Sequence, residues 1–330
     1  MMYRLSYILL LAAAFMAAAV CCTKVSAEGE SDALIEFDVT ATKVADTEFE
    51  PEDIINVLGF LVHDDTSEKE FGMSYMGRYA SDGIVPLSFS YSAVNVEGIG
   101  TGKVYPSGYY WPKFDSCEYQ SLYFYAYYAY NETSSGGQTT GPTVRHNTGA
   151  APSFDYVMNV EGEAKKEDFL VTEAEASAGV VGLDFVRPLA KVVWKVCLED
   201  WKGSFNIDLL FEDLLSECSY SMELNDWVAS ATSVTSDMTV TYGGEGGVVP
   251  GNSDTPMEVA SFYLIPQKID KFAVVYNYHK EAVSLETPLE FIAGKRHTIT
   301  VTISKDKVVR IDTDGGEKVW DAAENTNEIK

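Results

Sequence analysis

The chain reads as an all-β protein of two β-sandwich domains in tandem, and three observations predict it. Apolar and polar residues alternate over many short stretches, as they do when side chains point to opposite faces of a strand. Gly, Ser, Asp and Asn collect between these stretches, where turns are needed. No stretch holds a helical period long enough to compete, and no repeat of fixed length occurs. The densest stretch, 105–130, contains Tyr109-Tyr110-Trp111-Pro112 and then Leu122 through Tyr130. We read it as a strand, with Leu122, Phe124 and Ala126 on one face and Tyr123, Tyr125 and Tyr127 on the other. Trp111-Pro112 beside it suits a corner, pairing an indole to bury with a ring that fixes φ.

In chain order, strands are predicted at 33–44, where Ile35, Phe37, Val39 and Ala41 alternate with Glu36, Asp38 and Thr40, and then at 54–63, 69–79 and 87–94. A Gly-, Ser- and Thr-rich stretch, 131–152, is expected to be a surface loop. Short strands follow at 154–160, 168–173 and 181–186. In 190–198, Ala190, Val192, Trp194, Val196 and Leu198 share a face opposite Lys191 and Lys195. The stretch 205–215 fits two periods: Phe205, Ile207, Leu209 and Phe211 suit a strand, while Ile207, Leu210, Phe211, Leu214 and Leu215 suit a helix. The all-β surroundings favour the strand. Further strands are expected at 232–242, 258–265, 272–278, 297–303 and 308–311. In 297–303, Ile299, Val301 and Ile303 should face inward and Thr298, Thr300 and Thr302 outward. The domain boundary is placed near 175–179, giving a signal peptide at 1–21, a polar leader at 22–33, and domains at 34–176 and 177–330.

With 330 residues, 46% of them hydrophobic and 22% charged, the chain has the composition of a globular protein. Its 50 acidic against 24 basic residues give a net charge of −26, which argues against a nucleic-acid partner. Arg4 followed by an apolar run from Ile8 to Val20 is an export signal too short to span a membrane. Cys21 or Cys22, closing that run, is the candidate lipidation site. Cleavage after Val25-Ser26-Ala27 is the competing reading. For Cys117, Cys197 and Cys218, one disulfide plus a buried thiol and three buried thiols both fit.

Little points to catalysis, and we expect no enzyme, metal or cofactor. His63, His146, His279 and His297 lack metal spacing. His63 precedes Asp64-Asp65, a carboxylate–imidazole pairing that a strand-end turn explains better. The Gly243–Gly247 run is not followed by a helix that would cradle phosphate. The run Asp312-Thr313-Asp314-Gly315 lacks the ligand order of a calcium loop. Tyr109, Tyr110 and Trp111 form a candidate aromatic surface for stacking on sugar rings, so a glycan-binding surface lipoprotein is the alternative function.

Taken in order, several segments resemble the fimbrillin family of Bacteroidetes, the Mfa-like and FimA-like surface lipoproteins: the lipoprotein-type leader, Tyr109-Tyr110-Trp111-Pro112, Leu122 to Tyr128, and Asp168-Phe169-Leu170-Val171. Leu183 to Val192 is similar to the family's L-x-F-x-H-x-L-A-K-V, with Arg187 in the histidine place. Ala293 to Val301 is similar to A-G-K-x-Y-x-[IY]-T-[VI], with His297 in the tyrosine place. The resemblance implies two transthyretin-like, Greek-key β-sandwiches and a fimbrial (pilus) structural, tip or accessory subunit for surface adhesion. It also implies an outer-membrane lipid anchor, host or bacterial surface ligands, and other fimbrial subunits as partners through β-strand addition. The exchanged strand would then carry Ile35, Phe37, Val39 and Ala41. No arginine lies between Arg4 and Arg78, and the tail from Asp312 to Lys330 lacks a period-2 pattern. Stalk, tip, anchor and monomeric roles therefore stay open.

Overall fold

A computed structural model describes residues 33–41, 54–80, 83–90, 101–104, 108–114, 118–129, 132–133, 139–140, 143–146, 149–158, 169–199, 206–229, 233–242, 256–276, 279–304 and 307–313. The signal peptide, Cys21, Cys22, Cys117, the Gly243–Gly247 run and the tail beyond Thr313 lie outside them. The described residues are all-β, with no helix. The first part of the chain forms β1 (Glu36–Ala41), β2 (Ile54–His63), β3 (Lys69–Met76), β4 (Arg78–Ala80), β5 (Gly83–Val85), β6 (Leu87–Ser90), β7 (Thr101–Val104) and β8 (Tyr119–Ala129). The middle forms β9 (Glu132–Thr133), β10 (Thr139–Thr140), β11 (Thr143–Arg145), β12 (Ser153–Val157), β13 (Phe169–Ala176), β14 (Val180–Phe185) and β15 (Ala190–Glu199). The remainder forms β16 (Ile207–Ser221), β17 (Asp226–Val228), β18 (Val234–Tyr242), β19 (Met257–Leu264), β20 (Gln267–Tyr276), β21 (His279–Phe291), β22 (Arg296–Ser304) and β23 (Lys307–Thr313).

β8 organises the packing because both of its faces are apolar. Its Leu122, Phe124 and Ala126 join Ile55 and Val57 of β2 in a core closed by a small sheet, β14-β1-β7. Its Tyr125 and Tyr127 join Leu58 and Phe60 in a second core that continues through Phe154, Phe169 and the C-terminal sheets. The sheet β13-β8-β2-β3, with β6 also on β2, is thus buried on both sides. Burial raises the pKa of the Tyr125 hydroxyl, which accepts a 2.9 Å hydrogen bond from Lys69 Nζ. Pairing crosses position 176 in both directions. β12 pairs with β16 in the seven-stranded C-terminal sheet, while β14 runs parallel to β1 in the N-terminal sheet.

The two segments similar to family patterns become neighbours: β15 and β22 pair in parallel, with Val192 beside His297 and Trp194 beside Ile299. Gly294 turns the chain into β22 at φ 66°, and its N–H donates to Leu189 O at 2.9 Å. His297 is fully buried, and its Nε2 accepts a 3.0 Å bond from Ile292 N–H.

The structure differs from the sequence reading at several points. Strand β8 begins at Tyr119, whereas residues 109–111 make one isolated bridge, Leu34 to Tyr110; Pro112 has no N–H with which to extend a ladder. The stretch expected as a loop, 131–152, holds β9, β10 and β11, and β11 pairs with β12. β7 and β21 have weak signals. β7 is only T-G-K-V, and β21 is polar with Pro288 inside it, which an edge strand tolerates. The threonines of β22 are buried rather than outward, because β22 lies between β15 and β23 and Thr300 is flanked in register by Lys195 and Asp312. Cys197 and Cys218 are buried thiols.

Candidate strand-exchange groove

β1 lies between two strands that come from much later in the chain. Phe37 stands beside Val181 and Val104, and Val39 beside Leu183 and Gly102, parallel to β14 and antiparallel to β7. Ile35, Phe37 and Val39 have 0% exposure. The Phe37 ring meets Phe124 edge-on at 5.2 Å and 88°, and stacks on Phe89 at 6.1 Å and 17°. Ala41 continues the register opposite Phe185; its side chain lies outside the described ones. The even positions Glu36 and Asp38 are half-buried and point away from the core. Alternation therefore gives β1 a row of apolar plugs on a polar-backed strand. The hydrophobic return for three such side chains is about 5–9 kcal/mol.

Trp111 is 5% exposed, with its indole edge-on to Phe124 at 6.1 Å and 89°. Its Nε1–H donates to Gly179 O at 3.0 Å. Tyr109 is half-buried against the same core, and Tyr110 alone is largely exposed, at 49%. The three aromatic residues therefore do not present one exposed stacking surface. Main-chain atoms do the pairing here: Ile35 N–H donates to Tyr109 O at 2.9 Å, and Trp111 N–H to Ala33 O at 3.1 Å. Tyr75 Oη donates to Tyr110 O at 2.6 Å. Sequence reasoning did not identify Tyr75 or Gly179, since neither lies in a pattern that ties it to Trp111. Phe89 was legible as an alternating strand residue, but its role as the stacking partner of Phe37 was not.

The histidines are dispersed. His63 approaches Glu70 at 3.5 Å and its ring lies 4.6 Å from Tyr119, so its carboxylate partner is Glu70 rather than Asp64 or Asp65. A cleft of about 500 Å³ beside it is lined by His63, Asp64, Asp65, Thr66, Glu68 and Glu118. Among the described residues no His, Cys, Asp and Glu cluster suits a metal ion. His146 stacks on Tyr127 at 5.9 Å and 29°, and burial lowers its pKa to about 4.

A family model described as fimbrillin-like matches residues 42–315. A search of curated proteins found no match. Among solved structures, the chain is similar to a candidate cell adhesion protein from Bacteroides ovatus. The TM-score is 0.54 at 15% identity, covering 88% of this chain and 99% of that one. A candidate cell adhesion protein from Bacteroides uniformis gives 0.53 at 14% identity, covering 89% and 100%. At these identities the likeness is one of fold. The family match spans most of the chain, and this protein belongs to the fimbrillin-like family.

Proposed function

We propose that this protein is a fimbrial structural, tip or accessory subunit for surface adhesion, joined to other fimbrial subunits by β-strand addition. The observation that carries the reading is the placement of β1. It is an internal strand of its sheet, yet it comes first among the described strands, and between β14 and β7 it carries the fully buried Phe37 and Val39, with Ile35 buried just ahead of it. If such a strand leaves, it exposes two strand edges and an apolar trough, and a strand from another subunit satisfies both. Membership of the fimbrillin-like family supports the adhesion role and a cell-surface location. Anchoring through a lipid on Cys21 or Cys22 belongs to the same proposal. The glycan-binding alternative has less support, because Trp111 is buried.

The test is to cleave the full chain within 42–53 and offer it candidate fimbrial subunits under conditions that let β1 dissociate. Loss of the β1 fragment together with a higher-mass complex is the expected result. Retention of β1 and a monomer with every subunit offered would overturn the reading. Incorporation of a labelled fatty acid that is lost when both Cys21 and Cys22 are changed to serine tests the anchor.

A further inference from the structure

We infer that the main-chain edge of Tyr109, Tyr110 and Trp111 is a second docking site for an incoming strand, one that grips its leading end. This rests on the strand-addition reading above and concerns where the inserted strand is held. Among the described residues the ladders to β14 and β7 begin at Glu36 and Phe37. Upstream of them, residues 33–35 are held by a different partner: Ile35 N–H bonds to Tyr109 O and Ala33 O accepts from Trp111 N–H, with Leu34 opposite Tyr110.

Contacts outside β1 fix this edge in place. Trp111 Nε1–H is held by Gly179 O and the indole rests on Phe124 of β8. Pro112 is buried, and Tyr110 O accepts from Tyr75 Oη. When β1 leaves, these contacts remain, so the carbonyl of Tyr109 and the N–H of Trp111 stay aimed at the vacated path. A receptor edge ordered in advance spares an incoming strand the cost of organising it. Leu34 and Tyr110 are 37% and 49% exposed, so the place of Leu34 imposes little side-chain selection. The demand is on the main chain: an N–H at the place of Ile35 and a carbonyl at the place of Ala33. The partner is therefore an extended strand of nine residues, matching 33–41, apolar at the places of Ile35, Phe37 and Val39, with no proline at the place of Ile35.

The experiment uses the full chain with a protease site inserted between Ala41 and Ile54, cut so that β1 can exchange. Three fluorescent peptides are offered: one copying 33–41, the same peptide N-methylated at Ile35, and one copying 36–41. Dissociation is followed by anisotropy after a chase with unlabelled peptide. The N-methylated peptide is expected to leave on the order of tenfold faster than its parent. Trp111→Phe, which keeps an aromatic ring but loses the bond to Gly179, is expected to speed release of the 33–41 peptide by a larger factor than release of the 36–41 peptide. Equal release of parent and N-methylated peptides, or an equal effect of Trp111→Phe on the long and short peptides, overturns the docking site while strand addition stands. If no peptide enters at all, the strand-addition reading fails and this inference fails with it.

Discussion

Changing Phe37 to alanine tests the packing of β1 most directly. The ring is fully buried, edge-on to Phe124 of β8 and stacked on Phe89 of β6, and these two strands, each held in its own ladder, cannot both collapse into the space left behind. A Phe→Ala change in such a site costs about 3–5 kcal/mol, the aromatic pairing included. The control is Glu36→Ala, one residue away and on the opposite face, which should stay within about 0.5 kcal/mol. In a urea titration with a slope of about 2 kcal/mol/M, Phe37→Ala should lower the midpoint by roughly 1.5–2.5 M while Glu36→Ala scarcely moves it. Because the described residues form two cores, the readout should be hydrogen exchange of β2 and β8, the strands beneath Phe37, rather than a global signal. If those strands exchange alike in the two variants, the inward register of β1 is wrong, and the groove argument with it.

Acid should weaken the protein through His146. Burial holds its imidazole near pKa 4 in the fold, against an ordinary value of about 6.5 in the unfolded chain. The stabilisation is complete above about pH 6.5 and is lost progressively as pH falls toward 4, since the unfolded chain takes up the proton first. Allowing for solvent screening of a half-buried ring, the loss is about 1–2 kcal/mol. Urea midpoints at pH 7 and pH 4.5 should therefore fall further for the parent than for His146→Gln, and equal falls would refute the assignment. Gly83→Ala should cost more than about 2 kcal/mol, because the new Cβ would lie 2.0 Å from His146 O at a φ of 140°; an unchanged melting temperature contradicts this. Asp213 has φ 57°, so Asp213→Val should destabilise by at least about 1 kcal/mol and Asp213→Gly should be nearly neutral, as thermal melts would show.

Alternation made the groove legible before any coordinates. The inward set of β1, the two faces of β8 and the row of Val181, Leu183 and Phe185 in β14 follow from a period of two that each strand keeps locally. What sequence could not supply was which strands meet. The parallel pairing of β1 with β14 joins residues far apart in the chain, and nothing local in Glu36–Ala41 specifies it. The same holds for Trp111, whose character as an anchor was visible while its partners, Gly179 and the main chain of Ala33, were not. The outward assignment of the β22 threonines failed for a related reason. Polarity is not exposure: a strand with neighbours on both sides shields short polar side chains as well as apolar ones.

The ambiguity at 205–215 has a structural cause. Along β16, Ile207, Leu209 and Phe211 are buried at odd positions, and Leu214, Ser216, Cys218 and Tyr220 at even ones. The change of phase falls at Asp213, where the ladder to β18 slips between Phe211 and Leu214. The left-handed backbone there inserts the extra residue that a bulge requires. A strand whose phase shifts once places apolar residues at spacings of two and then three, and over a few turns that spacing matches a helix. Two periods therefore fit because the strand is bent, and neither pattern was accidental. Asp213 N–H donates to Asp237 Oδ1 at 3.1 Å, so the bulge is held from the neighbouring strand as well as by its own backbone. Deleting Asp213 would bring Phe211 and Leu214 to a spacing of two and place Ile207, Leu209 and Phe211 on one face with the whole later set, as an unbulged strand requires. The C-terminal sheet should therefore survive this deletion with the bend of β16 lost, whereas deleting Leu210, which leaves the bulge and puts Ile207 and Leu209 out of phase with Phe211, should unfold it, as thermal melts would show.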